Sequence, residues 1–216
     1  MELKTVMDSN KRIIQSQEEE RKRIGFELHE EVSQNLYSVY TGLEFIQAGL
    51  DPEYKNYAKE MSKLMMNTIR EVRSLSAQLY PTTLASLGLR SALKSYTRLF
   101  SSNYKTEVQL TSLGEEYDIP EQESIAFFRS CQEALLYIAK YIEVEQVNIT
   151  FTWGEKALEL EMRVDGNGGQ VEGFIEDDQF LAIAAIEQRI DLVGGSCQMT
   201  SNENGTTLTF VLPKGI

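Results

Sequence analysis

Residues 23–34 read RIGFELHEEVSQ, and this stretch decides the fold of the first part of the chain. It lies within residues 8–49, a proline-free segment in which apolar side chains recur mostly at spacings of three, four or seven. Such spacing is typical of the apolar face of a long helix. That face consists of Ile14, Ile24, Leu28, Val32, Leu36, Leu43 and Ile46. Within the quoted stretch Ile24, Leu28 and Val32 point inward, and His29 lies at the edge of the face, about 100° from Leu28.

A second helix is predicted after a short turn. Asp51-Pro52 interrupts the first pattern, since proline suits the first turn of a helix, and Pro81 ends the second helix. Its apolar face consists of Tyr57, Met61, Leu64, Met65, Ile69, Val72, Leu75 and Leu79. Two long helices joined by a short turn form an antiparallel hairpin. Because a hairpin alone cannot bury both faces, we expect a C₂ homodimer that forms a four-helix bundle.

The pattern changes after Pro81 to a mixture of strands and helices. Apolar and polar residues alternate, as in strands, at 107–113, 147–153, 158–164, 197–200 and 207–212. Helices are predicted over 91–99, from Glu121 through Ile138, and over 180–193, where Gly194-Gly195 ends the last one. The fold class is therefore α+β: a helical hairpin followed by an α/β sandwich with helices on one face of a mixed sheet. We expect domains at 1–84 and 85–216.

Composition limits the possible partners. The net charge of -12 disfavours direct binding to nucleic acid and to anionic lipid, so a protein or small ligand is the better partner. Cys131 and Cys197 have no metal-ligand spacing, and we interpret them as reduced thiols with no metal site. No apolar run approaches the ~18 residues that span a bilayer. We expect a soluble cytoplasmic chain, which can also be the cytoplasmic end of a longer membrane receptor.

His29 is the one histidine of the chain, and its neighbours suit phosphoryl chemistry. Glu30 can orient a neutral imidazole and take its proton, as a nitrogen nucleophile requires. Gln34 lies four residues beyond Glu30 on the same helical face and can hold a water in line with a partner's phosphoaspartate. The spacing alone favours the plainer interpretation, an exposed histidine on a charged helix that has no chemical role.

Residues 18–214 resemble sensor histidine kinases of the nitrate-sensor and desaturase-thermosensor type. The phosphoacceptor pattern of that family, E-R-x-R-I-A-R-E-L-H-D-x-x-x-Q, reads here ERKRIGFELHEEVSQ over residues 20–34. Further landmarks are Leu79-Tyr80-Pro81, Leu87-Gly88-Leu89, Gln132-Glu133-Ala134-Leu135, Gly205-Thr206-Thr207 and Leu212-Pro213. The resemblance implies that His29 is the phosphoacceptor, that Glu30 replaces the acid/base aspartate and that Gln34 serves dephosphorylation of a response regulator. Phe26 departs from the family by replacing a basic residue.

The resemblance also implies an ATP-binding domain, but its motifs are altered. The asparagine box, E-A-L-x-N-A-x-K-H in the family, keeps Glu133 and Lys140 but has Tyr137 at the asparagine position, where a Mg²⁺ ligand is lost. In the D-x-G-x-G box, Val164 stands at the position of the adenine-binding aspartate, followed by Asp165, Gly166 and Gly168. Strand alternation turns Asp165 to the opposite face from Val164.

The third nucleotide box is altered as well. The family's glycines, which let backbone N–H groups approach phosphates, fall on Phe180, Ala182 and Ala185. The preceding acidic stretch, residues 172–178, repels a triphosphate. Glu133, Lys140, Asp165, Gly166 and Gly168 therefore form the remnant of a nucleotide site, and no ATP or Mg²⁺ cofactor is expected.

Three functional hypotheses follow. In the first, the chain is a pseudokinase-like phosphotransferase or phosphatase whose His29 exchanges phosphate with a receiver domain of a response regulator. In the second, it is the cytoplasmic region of a working ATP-dependent histidine kinase. In the third, it binds a response regulator and transfers nothing. ATP-dependent labelling of His29 separates the second from the first, and transfer from a phosphorylated receiver separates the first from the third.

Overall fold

A computed structural model describes residues 2–142, 144–165, 177–202 and 205–215. The chain divides into two compact units, Met1–Thr82 and Thr83–Ile216. The first is helical and the second combines helices with a five-stranded sheet, so the α+β class is confirmed. No helix among the described residues combines the length and the apolar character needed to cross a bilayer.

The first unit is an antiparallel helical hairpin. Its elements are α1 (Glu2–Glu27), a π-helical turn (Leu28–Val32), α2 (Ser33–Gln47) and α3 (Pro52–Leu79). The predicted hairpin is confirmed, because α3 packs along both α1 and α2. Pro52 occupies the first turn of α3, and Tyr80 ends the helix in an extended conformation.

The π-helical turn is a feature that the periodicity did not predict. It inserts one extra residue into the helical path, so the apolar face downstream is rotated relative to a regular helix. The expectation that Val32 points inward is wrong: Val32 is 38% exposed, whereas Ile24 and Leu28 are half-buried. The neighbouring Ser33 takes the buried position instead and is 2% exposed.

The second unit begins with a helix that is longer than the sequence pattern predicts. We predicted a helix over 91–99, but α4 spans Thr82–Tyr104 and is broken by Gly88, whose φ of 76° is left-handed. Only glycine adopts this φ without steric cost. The break at Gly88 interrupts the apolar pattern of α4, so the part of the helix before residue 91 was not predicted. The remaining elements are β1 (Glu107–Gly114), α5 (Glu121–Tyr141), β2 (Gln146–Trp153), β3 (Ala157–Asp165), α6 (Asp177–Asp191), β4 (Ser196–Asn202) and β5 (Gly205–Pro213).

The sheet is mixed, as expected. Its strand order is β1-β2-β3-β5-β4, with β1 parallel to β2 and every other neighbouring pair antiparallel. Alternate residues of β2 are buried, namely Val147, Ile149, Phe151 and Trp153. They belong to one core with apolar residues of α4, α5 and α6, so the helices cover one face of the sheet. Gly194 follows α6 with a φ of 76°, the left-handed stop that the sequence indicated.

Candidate functional site

His29 lies in the middle of the π-helical turn. Its side chain is half-buried, while Glu30 and Gln34 are exposed beside it. The Gln34 side-chain amide (Nε2) donates a 2.9 Å hydrogen bond to Glu30 Oε2. The structure therefore joins the predicted carboxylate and the predicted amide, on an accessible surface one residue from the imidazole. This arrangement suits a carboxylate held in a fixed orientation beside a nitrogen nucleophile.

Ser33 stabilises the turn that carries His29. Its backbone N–H and its side-chain hydroxyl both donate to the carbonyl of Leu28, the hydroxyl at 3.0 Å. The Leu28 carbonyl lies five residues before Ser33 and lacks the hydrogen bond from four residues ahead that a regular α-helix provides. The two Ser33 donors supply hydrogen bonds to it and so stabilise the wider turn. Ser33 is buried, so this contact is shielded from water. Helical turns of this kind are frequent at functional sites.

A close contact between α1 and α3 lies one turn before His29. Gly25 is buried, and a Cβ added to it would come within 2.9 Å of Tyr80 Cβ. Ser76 Oγ donates a 2.8 Å hydrogen bond to the Gly25 carbonyl. Small residues here let the two backbones approach closely and fix the position of the helix that presents the imidazole.

Phe26, which departs from the family pattern, contacts the same place. Its ring lies 5.7 Å from the Tyr80 ring, and Lys22 Nζ lies 5.4 Å from the centre of that ring. Tyr80 is thus enclosed by aromatic, cationic and glycine neighbours and is 1% exposed. Phe26 extends the packing of Tyr80 at a position where the family carries a basic side chain.

In the second unit, Glu133 forms an ion pair with Arg189. Arg189 Nη2 lies 3.1 Å from Glu133 Oε1, with the two side chains 14% and 30% exposed. Glu133 Oε2 and Arg189 Nε and Nη1 are buried with no hydrogen-bond partner among the described residues. Lys140 is exposed, and its Nζ lies 4.7 Å from the Tyr141 ring. The structure therefore brings Glu133 to Arg189, an arrangement that sequence reasoning did not anticipate.

The other remnant positions lie as follows. Tyr137 is 5% exposed and packs 5.2 Å from the Tyr141 ring, and burial raises the pKa of its hydroxyl. A buried phenol of raised pKa is a poor ligand for Mg²⁺, which prefers carboxylate, amide and phosphate oxygens. Val164 is buried, whereas Asp165 is exposed and 2.8 Å from Arg163, as strand alternation predicts.

The remaining motif positions cannot be placed in the same way. Gly166 and Gly168 lie outside the described residues, as do the side chains of Phe180 and Ala182. Ala185 is exposed on α6. The described side chains at Tyr137 and Val164 therefore fit Mg²⁺ and adenine poorly.

Sequence reasoning missed two residues of these sites. Ser33 gives no signal in the apolar periodicity, because its side chain is polar. Arg189 belongs to no motif of the sequence. Its pairing with Glu133 spans 56 positions and has no signal in a single sequence.

Comparison with known proteins agrees with this architecture. Residues 20–84 match the model of a family described as histidine kinase. The oxygen sensor histidine kinase NreB of Staphylococcus carnosus (strain TM300) is 31% identical over 202 residues, which cover 93% of this chain and 58% of NreB. The structure of a blue-light-activated histidine kinase of Erythrobacter litoralis EL346 matches at a TM-score of 0.50 and 13% identity, over 85% of this chain and 60% of that one. At that identity the match concerns the fold alone.

A helical hairpin carrying a half-buried histidine, followed by a helix-covered mixed sheet, is the architecture that the resemblance to sensor histidine kinases predicts. Residues 20–84 match the histidine kinase family, and the chain as a whole is similar to NreB, so the resemblance found in the sequence is confirmed. The chain spans 58% of the length of the NreB protein that it matches.

Proposed function

We propose that this chain presents His29 for phosphoryl exchange with the receiver domain of a response regulator, without using ATP of its own. The observation that carries the proposal is the hydrogen bond of 2.9 Å between Gln34 and Glu30 beside a half-buried imidazole. A histidine buried in apolar packing would be unable to meet a phosphoaspartate. Here the ring and both polar neighbours remain accessible on the hairpin surface.

The transfer step needs little from the protein beyond position and proton transfer. A nitrogen of neutral His29 attacks the phosphorus of the receiver's phosphoaspartate. The new N–P bond forms as the P–O bond to the aspartate breaks, and the carboxylate leaves with the electron pair. The other ring nitrogen gives its proton to Glu30, which holds it until the reverse step. Phosphate then passes from His29 to the aspartate of a second receiver by the same path in reverse.

Hydrolysis of the receiver's phosphoaspartate is the second activity that the site supports. The Gln34 amide, four residues from Glu30, has one oxygen acceptor and a second N–H donor available to hold a water in line with the phosphorus. The water attacks phosphorus, the aspartate leaves as carboxylate, and the water's proton passes to a solvent-exposed base. In this activity His29 is not phosphorylated.

The nucleotide side of the family's chemistry is, in our proposal, lost. Tyr137 supplies a buried phenol where an amide oxygen would bind Mg²⁺, and Val164 supplies no acceptor for the adenine amino group. An unpaired amino donor alone costs about 1–3 kcal/mol. The retained Glu133 is paired with Arg189. In a nucleotide-binding relative, ATP bound together with Mg²⁺ supplies the phosphoryl group; here the receiver would supply it.

Dimerisation completes the proposed assembly. The apolar side chains of α3 that are more than half exposed in the single hairpin include Tyr57, Met61, Leu64 and Leu75. They recur at spacings of four, three and eleven along one face, as a bundle interface requires. We propose that this face packs against the same face of a second copy, with the receiver binding near His29.

The decisive experiment mixes the purified full chain with a receiver domain phosphorylated by a small-molecule phosphodonor. Acid-labile, alkali-stable label on the chain, lost in His29→Gln, is the expected result. A parallel reaction with Mg-ATP and no receiver is expected to leave the chain unlabelled. ATP-dependent label on His29 would instead establish an autokinase. No transfer in either reaction, with the receiver bound, would establish a binding module.

A further inference from the structure

A polar cavity lies between α2 and α3, away from the phosphoryl-transfer residues. Its volume is about 510 Å³, which is the size of a small-molecule site. Lys59, Ser62, Lys63 and Arg70 of α3 line one side, and Glu44 of α2 lines the other. The lining side chains are mainly polar or charged, so the cavity suits a hydrophilic ligand.

Ser62 provides the observation that points to a ligand. It is 5% exposed, yet its hydroxyl has no hydrogen-bond partner among the described residues. Other hydroxyls of this hairpin donate to the carbonyl four residues back: Ser38 to Gln34, Thr41 to Tyr37 and Thr68 to Leu64. Ser62 does not, and a buried hydroxyl without a partner is destabilising. Ser62 lines the cavity, so a ligand there would give the hydroxyl a partner once the side chain turns toward it.

The charge of the cavity indicates an anion. Three cationic side chains, Lys59, Lys63 and Arg70, stand against one carboxylate, Glu44, whereas the whole chain carries -12. Within the described part of the chain, no carboxylate forms an ion pair with Lys59 or Lys63. A concentration of cations on an acidic protein attracts anions locally.

The cavity remains open in the proposed dimer. Successive residues of α3 are rotated by about 100° around the helix axis. Around that axis, the exposed apolar face with Met61 and Leu64 lies roughly 110° to one side of the buried residues Ser62 and Ile69. Lys63 and Arg70 lie roughly 100° to the other side of those positions. A second copy packed on the apolar face therefore leaves the cationic side accessible.

We propose that this α2/α3 cavity binds a small phosphate-bearing anion. Phosphate oxygens accept hydrogen bonds from the Ser62 hydroxyl, from lysine ammonium groups and from the planar guanidinium of Arg70. A monocarboxylate carries one negative charge and would leave the excess of cations unmatched. The proposal is independent of phosphoryl transfer by His29.

Isothermal titration of the full chain with inorganic phosphate at about 0.15 M ionic strength, where the Debye length is about 8 Å, tests the proposal. Saturable binding is expected, weakened about tenfold in Ser62→Ala, since a hydrogen bond to a charged group is lost. Lys63→Gln is expected to weaken binding similarly. Arg73→Gln, which removes a cation of the same helix outside the cavity, is expected to leave affinity within about twofold. Acetate is expected to bind at least about tenfold more weakly than phosphate.

Thermal unfolding without ligand separates a binding role of Ser62 from a structural one. Because its hydroxyl is unpaired, Ser62→Ala is expected to unfold at the same or a higher temperature while phosphate affinity falls. Absence of binding at tens of millimolar phosphate, or equal loss of affinity in Arg73→Gln and Lys63→Gln, would overturn the proposal. Loss of thermal stability in Ser62→Ala would do the same. None of these measurements requires a receiver, so failure here leaves the phosphotransfer hypothesis unaffected.

Discussion

The Ser76 hydroxyl donates a 2.8 Å hydrogen bond to the Gly25 carbonyl and joins two helices that are 51 residues apart in the chain. The contact is buried and lies one turn before His29. A Cβ at Gly25 would meet Tyr80 Cβ at 2.9 Å, which is closer than side chains pack. The position of the helix that carries His29 therefore depends on the absence of a side chain at Gly25.

We expect Gly25→Ala to destabilise the hairpin, although alanine is the better helix former. The helical gain of up to ~1 kcal/mol is outweighed by an overpacking cost of about 1–3 kcal/mol, because Tyr80 Cβ is fixed to its backbone. Urea unfolding followed by circular dichroism measures the net loss. Gly42→Ala is the matched control, since nothing lies within 4 Å of a Cβ there and that change should stabilise. Equal stabilisation of both variants would refute the close contact.

Glu30 and Gln34 are expected to affect different reactions. Glu30→Gln removes the proton acceptor and should slow transfer from a phosphorylated receiver to His29 about a hundredfold, while Glu30→Asp restores it. Gln34→Ala should slow receiver dephosphorylation by at least about tenfold. It should change the rate of transfer by no more than about fivefold, because for that reaction it removes only the exposed hydrogen bond to Glu30. Rapid-quench assays of both reactions measure the difference. Glu31→Gln is the control, and a matching loss there would show a general charge effect.

The exposed apolar face of α3 is expected to hold the dimer together. Leu64→Asp places a charge at a position that is 63% exposed in the single chain and buried in the proposed bundle. Burying that unpaired charge costs several kcal/mol, so the variant should elute as a monomer. Light scattering coupled to size exclusion measures the mass. Lys55→Asp, on the same helix but away from this face, should remain dimeric; a dimeric Leu64→Asp would place the interface elsewhere.

Alkaline pH is expected to destabilise the sheet unit through its two free cysteines. Burial raises the pKa of Cys131 well above its ordinary 9.0, and burial with the nearby Glu187 and Asp191 carboxylates raises the pKa of Cys197 to about 12. Above pH 9 the unfolded chain loses thiol protons that the folded chain retains. The contribution to stability is therefore full below pH 9 and declines as pH rises toward 12.

Denaturant unfolding at several pH values measures this decline. The unfolding free energy should be flat from pH 7 to about 8.5 and fall above pH 9. Replacing both cysteines with alanine should reduce the slope of that fall, while the burial-raised pKa of Tyr96 contributes at still higher pH. A slope unchanged by the double replacement would assign the alkaline loss to other groups.

Local periodicity predicted most of the fold. The spacing of apolar residues, together with Pro52 and Pro81, located α3 and the hairpin, and two-residue alternation located the strands. These signals work because a helix face and a strand face are defined by residues close in sequence. The pattern around His29 likewise identified the accessible imidazole, and its neighbours Glu30 and Gln34 lie within one turn.

Some of the features that periodicity missed are local breaks within a helix, and others depend on contacts between distant residues. The π-helical turn is stabilised by the buried Ser33 and displaces Val32 from the interior, and the Gly88 break lies within a helix that begins earlier than the pattern indicated. The pairing of Glu133 with Arg189 and the unpaired Ser62 hydroxyl exist only because separate helices pack together. By itself the sequence determined which segments form helices and strands, since that follows from neighbours along the chain. Only the tertiary structure decided which polar groups find partners, because burial and hydrogen bonding are set by residues brought together from far apart.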